Sequence, residues 1–475
     1  MSAAQEITEL RKGGHLAEAY NKGYELLQAN PDDEYLKSAI GWVLYEKVKA
    51  LVNEAKKHPN STIKLSEGFR SIFREYAKLN LSRPDLLFSL LLSQAAQFPD
   101  DLIFLPKVMM WAGLDSFRSE DFIVQTANGS KTYESLVEKV ARTVGKVARN
   151  LTLQDFPDIK EIQTFSIQLI DTAIQKTDLQ KPEFLNHSKG LLLHSIGEST
   201  LAQDILIPFV RSKCNDWWTW EALASVVETN SPKEAITLYV KACLSCHEEG
   251  YSVNALENLS YLAANQQELP IAKWAAHRAF RIRKQKEYSI PPSLTELTET
   301  PWYDDESVPL ISEKALAQLS SGAEMFIQAG LPQYNGNYID SFTNKKGKKV
   351  AKFGAIINGE SQELTTLMRT VQSDLKLVAG EPVKLTVDAA KERLNITAVN
   401  QRQAGTLFDS MRCISGQFRL HPKGFGFVDK AYVPHEIARQ IDDRQHVSVA
   451  VVKKLDKKKN QWGFTAIAIV NGASH

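Results

Sequence analysis

The residue pattern best suited to chemistry lies close to the C-terminus, at Gly416-Gln417-Phe418-Arg419-Leu420-His421-Pro422-Lys423-Gly424-Phe425-Gly426-Phe427-Val428. Side chains alternate along a strand, so Phe425 and Phe427 share one face while Gly424 and Gly426 lie on the other and keep the backbone slim. Phe418 is expected on the neighbouring strand. Arg419, His421, Lys423 and Lys430 place positive charge and a further ring nearby. Rings on a basic sheet stack nucleobases while cations hold phosphates, and each stacked base contributes roughly 1–3 kcal/mol. Lys453 and Lys454 on a later strand extend the basic surface. Lys457 to Lys459 fall in a turn that is free to point away from a ligand.

A weaker basic set precedes it: Lys345, Lys346, Lys348 and Lys349, then Lys352 and Phe353. It could grip phosphate. Equally, the lysine run reads as a solvated turn, and Phe353 followed by Ile356-Ile357 reads as structural.

Catalytic signatures are missing. The sequence has no Walker loop, no G-x-S-x-G and no H-E-x-x-H, and its carboxylates sit on helices at solvent spacings. A non-enzymatic protein is expected. Cys243-Leu244-Ser245-Cys246-His247 formally matches c-type haem attachment. However, it falls on a helix where Ala242 packs, the polar N-terminus carries no export signal, and Cys214 stands alone as a partner for zinc. No haem, metal or other cofactor is expected. Four cysteines in 475 residues are no disulfide framework. With no apolar stretch near the roughly 18 residues a membrane span needs, the expectation is a cytoplasmic protein with no membrane partner.

The elements that must position these residues fall into two classes. Residues 1–286 read as helices throughout, with apolar positions spaced by three and four, as in Leu36, Ile40, Val43, Leu44 and Val48. Trp220, Leu223, Ala224 and Val227 are followed by Ala235, Tyr239 and Ala242. Leu256, Leu259, Ser260 and Ala263 are followed by Ala272, Ala276 and Ala279. Each set gives two helices with small residues where the backbones cross. Trp217-Trp218-Thr219-Trp220 reads as core packing, and His277 to Lys286 as a basic helix end that suits the dipole. Residues 287–330, with Ile290-Pro291-Pro292 and Thr300-Pro301, break the pattern and read as a connector holding one short helix after Ser312.

Beyond Tyr334 the pattern turns to strands. Asn337 to Ile339, Val350 to Ile357, Pro382 to Val387 and Leu394 to Val399 form one set, with a polar turn from Ala389 to Arg393. Gly416 to Leu420, Gly424 to Val428, His446 to Val452 and Trp462 to Ile469 form a second, with a turn from Leu455 to Asn460. Two such consecutive units, residues 331–403 and 410–475, suit tandem OB-type barrels. The fold class is therefore multidomain α and β.

The net charge of +1 hides an asymmetry. Residues 331–475 hold 22 Lys+Arg against 13 Asp+Glu, or +9, which leaves 35 against 43, or −8, for the rest. A basic module on a mildly acidic body points to a polyanionic partner for the module.

Several stretches resemble known families. The paired helices around Trp220 and Leu256, and Gly14 to Ala19 followed by Leu26-Leu27 and Pro31, resemble tetratricopeptide repeats, which implies a concave surface for protein partners. Lys423 to Val428 resembles the first ribonucleoprotein motif of cold-shock domains, and Ala431 to His435 sits where the second falls. His421-Pro422 and Val433 to Ile437 resemble still more the cold-shock domains of the ribonuclease II and R family. That resemblance implies nucleic-acid-binding roles for Lys423, Phe425, Phe427, Tyr432 and His435. The early Trp of cold-shock proteins is replaced, with Leu420 or His421 near its place. The nuclease of those enzymes would follow residue 475, so a barrel without a nuclease is expected. The domain order, with Gly41-Trp42 and the repeat at Trp220, resembles bacterial tetratricopeptide proteins with tandem cold-shock-like domains of predicted conflict, or anti-phage, systems. The implied role is an adaptor that binds single-stranded nucleic acid, RNA or else DNA with RNA favoured, through the last barrel and protein partners through the helices. The alternative is a purely protein-binding scaffold with structural barrels.

Overall fold

The computed structural model describes residues 2–58, 62–99, 101–127, 131–177, 182–372, 375, 377–389, 394–456 and 461–470. The chain divides into two compact units, one up to Ala323 and one from Glu324.

Helices build the first unit. In Glu34–Lys57 the positions Leu36, Ile40, Val43, Leu44 and Val48 are all buried, and Asp33 caps the helix by accepting from the Leu36 amide at 3.0 Å. Helices Trp217–Val227 and Pro232–Ser245 pack together, as do Val253–Asn265 and Leu269–Gln285. Ala235, Ala242, Ala272, Ala276 and Ala279 are fully buried, so adjacent backbones come close. Trp220 is also fully buried, and its indole Nε1 donates to the Cys214 carbonyl at 2.9 Å. Cys243 is buried in the same packing, where desolvation pushes its thiol pKa up. Among the described residues no group of three or more His, Cys, Asp or Glu side chains is placed to hold a metal ion. No described helix is long and apolar enough to cross a membrane.

Two features depart from the sequence pattern. A short antiparallel ribbon, β1 (Gln125–Ala127) and β2 (Lys131–Tyr133), interrupts the region read as helical throughout. Three-residue strands are too short to show a periodic signal. The stretch read as connector holds the helix expected after Ser312, Glu313–Gln328, but also helices Pro292–Thr298 and Pro301–Asp304, and its residues through Ala323 belong to the first unit. Pro292 and Pro301 each occupy the first turn of a helix, where a missing N–H costs nothing, so they start helices here instead of breaking them. His277 stacks on Tyr303 with ring centroids 4.1 Å apart, and Lys273 donates to the Asp305 carbonyl at 2.7 Å. The arginines of the basic helix end are paired locally: Arg278 and Arg281 with Glu249, and Arg283 with Glu257.

Among its described residues the second unit carries ten strands. The first five are β3 (Gln333–Thr343), β4 (Lys349–Ile357), β5 (Glu360–Leu367), β6 (Pro382–Asp388) and β7 (Asn395–Gln401), ordered β5-β4-β3-β6-β7. A single parallel bridge, Val371 to Val399, brings the two ends of this sheet together. The next five are β8 (Arg412–Leu420), β9 (Gly426–Val428), β10 (Ala431–Val433), β11 (His446–Asp456) and β12 (Gln461–Val470). They close into a barrel ordered β10-β12-β11-β8-β9, with β10 and β12 parallel. Both sets share one order; β10 and β12 pair in parallel in the second, and in the first the parallel bridge to β7 comes from Val371, just beyond β5. The closed second set has the five-stranded OB-type arrangement. Strand β5 has no counterpart in the sequence reading, because Glu-Ser-Gln-Glu-Leu-Thr-Thr-Leu is mostly polar; only Ser361 and Leu364 are buried. Residues 390–393 and 457–460 of the two expected turns, including Lys457 to Lys459, lie outside the described residues.

Residues 402–411 tie the two barrels together. Asn337 is fully buried; its amide donates to the Gly380 carbonyl at 3.0 Å, and its Oδ1 accepts from the Ser410 amide at 2.9 Å. Arg402 pairs with Asp409 and donates to Ser410 Oγ at 2.6 Å. Ile339, Phe408, Met411, Ala450 and Val452 form one apolar cluster drawn from both barrels. Ser361 Oγ donates to the Val451 carbonyl at 2.7 Å.

In the helical unit, burial raises the Glu221 carboxyl pKa to about 7. A raised acid pKa means that the folded state holds its proton more tightly, so this group's contribution to stability falls as pH rises from about 4.5 to 7. Glu221→Gln removes the titration. Chemical denaturation should find the variant more stable than wild type by about 1–3 kcal/mol at pH 8 and nearly equal to it at pH 4.5.

Candidate nucleic-acid interface

The last barrel positions its rings through one short turn and one buried phenylalanine. His421 to Phe425 form a three-residue hairpin loop. The His421 amide donates to the Phe425 carbonyl at 2.7 Å, and the Gly424 amide to the His421 carbonyl at 2.8 Å. Pro422 presets the turn, and Gly424 supplies the positive φ of 81° that closes it. A Cβ at Gly424 would also stand 2.9 Å from His435 Nδ1. The turn lays the His421 ring flat on Phe425, with centroids 4.2 Å apart and planes 10° from parallel.

Phe425 is the hub of the cluster. Its centroid lies 5.8 Å from Phe427, 5.4 Å from Tyr432 and 6.0 Å from His435. Phe427 and Tyr432 are direct partners across β9 and β10, and Arg419 is the partner of Phe427 across β8 and β9. Arg419, Phe427 and Tyr432 therefore form one row across three strands. Phe427 is 39% exposed, Arg419 and Lys423 are exposed, and Phe425 and Tyr432 are half-buried. Such a face offers flat apolar surface with cations at its edge. Among the described residues it carries no group of three or more His, Cys, Asp or Glu side chains placed to hold a metal ion.

Two expected residues move out of the site. Phe418 is fully buried and belongs to the barrel core. Its ring packs against the backbone of Gly426, where a Cβ would collide with it. Gly426 is therefore required from the inside of the barrel; it does not serve to slim the ligand-facing side. Phe353 is likewise fully buried, in the core of the first barrel with Tyr338. Neither ring is available to stack a base.

The lysines divide in the same way. Lys453 and Lys454 reach across to Glu360 and Glu363 of the first barrel, so carboxylates already oppose their charge. Lys352 pairs with Asp340 at 3.0 Å. Lys430 is exposed at the β9–β10 turn, away from the His421–Gly424 turn. Lys345, Lys346, Lys348 and Lys349 are exposed around the β3–β4 turn, which Asn344 holds by accepting from the Lys346 and Lys348 amides at 3.0 Å. Sequence reasoning also missed Phe342, 42% exposed beside that turn with Lys352 Nζ 5.1 Å from its centroid. Its position directly before the lysine run was the available signal.

Residues 412–469 match the family model of the S1/CSD-like domain 2 of the TOTE conflict systems. The matched span covers the closed barrel from β8 into β12. Residues 183–323 match a domain of unknown function (DUF7017), a span that ends where the first compact unit ends. No curated protein matches the chain.

The S1/CSD-like barrel should separate stability from exposure. Gly426→Ala drives a methyl into Phe418, and Phe418→Ala empties the core. Each should cost about 2–5 kcal/mol in chemical denaturation. Phe427→Ala, on the open face, should cost less than about 1 kcal/mol.

Proposed function

We propose that the protein is a non-enzymatic adaptor that binds single-stranded nucleic acid, RNA in preference to DNA, on the aromatic face of its S1/CSD-like barrel. The observation that carries this reading is the convergence of His421, Phe425, Phe427, Tyr432 and His435 on one face, with Arg419 in register beside Phe427. Stacked bases need exposed ring faces, which a duplex hides, so a single strand fits better than a duplex. The family match of the barrel supports a place in a conflict system. The paired helices of the first unit, which resemble tetratricopeptide repeats, suit a protein partner, and the net charge of −8 outside residues 331–475 argues against nucleic acid there.

Binding to labelled single strands over a salt series tests the reading. Phe425→Ala with Phe427→Ala should weaken binding by roughly 2–5 kcal/mol and leave the salt slope unchanged, since no phosphate contact is lost. Arg419→Gln and Lys423→Gln should each flatten the slope of log K against log salt by about 0.7. Unchanged binding by the folded double variant would leave the barrel a structural part of a protein-binding scaffold.

A further inference from the structure

The outer face of β3, β4 and β5 in the first barrel corresponds, by strand order, to the ring-bearing face of β8, β9 and β10 in the second. It is divided by the packing of the two barrels. Ile339 joins the shared apolar cluster, Met411 lies on the backbone of Gly354, Ser361 bonds to Val451, and Glu363 pairs with Lys454. That half is covered. The other half is open at Phe342 and Asp340, while Val350 on it is buried. There Phe342 and Val350 are register partners, Val350 and Leu367 are partners on the next pair, and Asp340 faces Lys352. The strand bulge between Tyr338 and Asp340 sets this parity and turns Phe342 outward while Phe353 stays in the core.

We infer that this open half is a second contact for the same single strand, with Phe342 as its stacking ring and Lys345, Lys346, Lys348 and Lys349 as its phosphate contacts. The inference rests on the reading of the S1/CSD-like barrel as the primary site. Two features point to a polyanion with aromatic faces. The exposed Phe342 ring gives a base a flat partner, and Lys352 beside it is paired with Asp340, so a ligand's phosphates fall to the hairpin lysines. The four hairpin lysines have no ion-pair partner among the described residues, and the turn beneath them is ordered by Asn344. Because residues 402–411 and the shared cluster join the barrels into one unit, a strand held at the first contact meets the second at a high effective concentration.

The test uses the full chain and homopolymeric single strands of about 5 and about 20 nucleotides, lengths chosen to occupy one OB barrel or more than one. Phe342→Ala should weaken the long strand by about 5- to 100-fold and leave the short one unchanged. Phe342→Leu keeps apolar bulk without a stacking face and should behave as Phe342→Ala does; matching thermal midpoints for both exclude a folding defect. Replacing the four hairpin lysines with Gln should lower the salt slope by up to about 2–3 for the long strand only. The Phe425→Ala, Phe427→Ala variant should weaken both lengths. Its failure to weaken the short strand would overturn the primary reading, whereas wild-type binding of the long strand by Phe342→Ala would overturn the second contact alone. Length-independent effects of the lysine replacement, matched by equal loss of binding to polyglutamate, would instead assign the hairpin to an acidic protein and overturn the inference.

Discussion

The burial of Phe418 against the bare backbone of Gly426 is the contact on which the candidate interface depends. It seats the Phe418 ring over β9, where a Cβ at Gly426 would collide with it, in the register Phe418↔Val428 and Leu420↔Gly426. With Phe418 inside, alternation along β8 sends Arg419 outward, and with Gly426 inside, it sends Phe427 outward beside Arg419. The turn at His421 then returns the chain so that Phe425 lies under an imidazole. Ring placement thus follows from core packing, and the exposed rings themselves contribute little to stability. This separation is common in binding sheets, where the scaffold is rigid and the contact surface is replaceable.

A second constraint sits between the barrels. The side chain of Asn337 is buried where an unsatisfied amide would be costly, and the chain after the first barrel returns to satisfy it through Ser410 and Asp409. Around this polar point, Ile339, Phe408, Met411, Ala450 and Val452 exclude water. The ion pairs Lys453–Glu360 and Lys454–Glu363 flank it and are partly exposed, so their contribution to stability is small beside that of the apolar cluster.

Much of this was legible in the sequence. The helical period marked the first unit, and Lys423 to Val428 marked the ring-bearing hairpin. Other features were not legible. Strand β5 is polar because one of its faces meets solvent and the second barrel, so it shows no alternation of apolar residues. Phe418 and Phe353 look like ligand-facing rings because composition does not reveal which face of a strand is inward; in the first barrel a bulge shifts that parity between Tyr338 and Asp340. Lys453 and Lys454 look free because their partners lie some 90 residues earlier, on a strand that the sequence did not reveal. The connector was misread for a different reason: its prolines sit at first helical turns, where they favour the helix they appear to break.

The return of residues 402–411 onto Asn337 also bears on the order in which the chain becomes native. The first barrel is complete in sequence by Gln401, yet the groups that satisfy Asn337 and cover Gly354 arrive only with Asp409, Ser410 and Met411, and the shared cluster closes only with β11. These are contacts of long sequence separation, which form late because a long loop must close first. During synthesis the first barrel therefore passes through a stage with an apolar strip and a half-satisfied amide still facing water. A fragment cut at residue 403 would be held at that stage, sticky and prone to self-association.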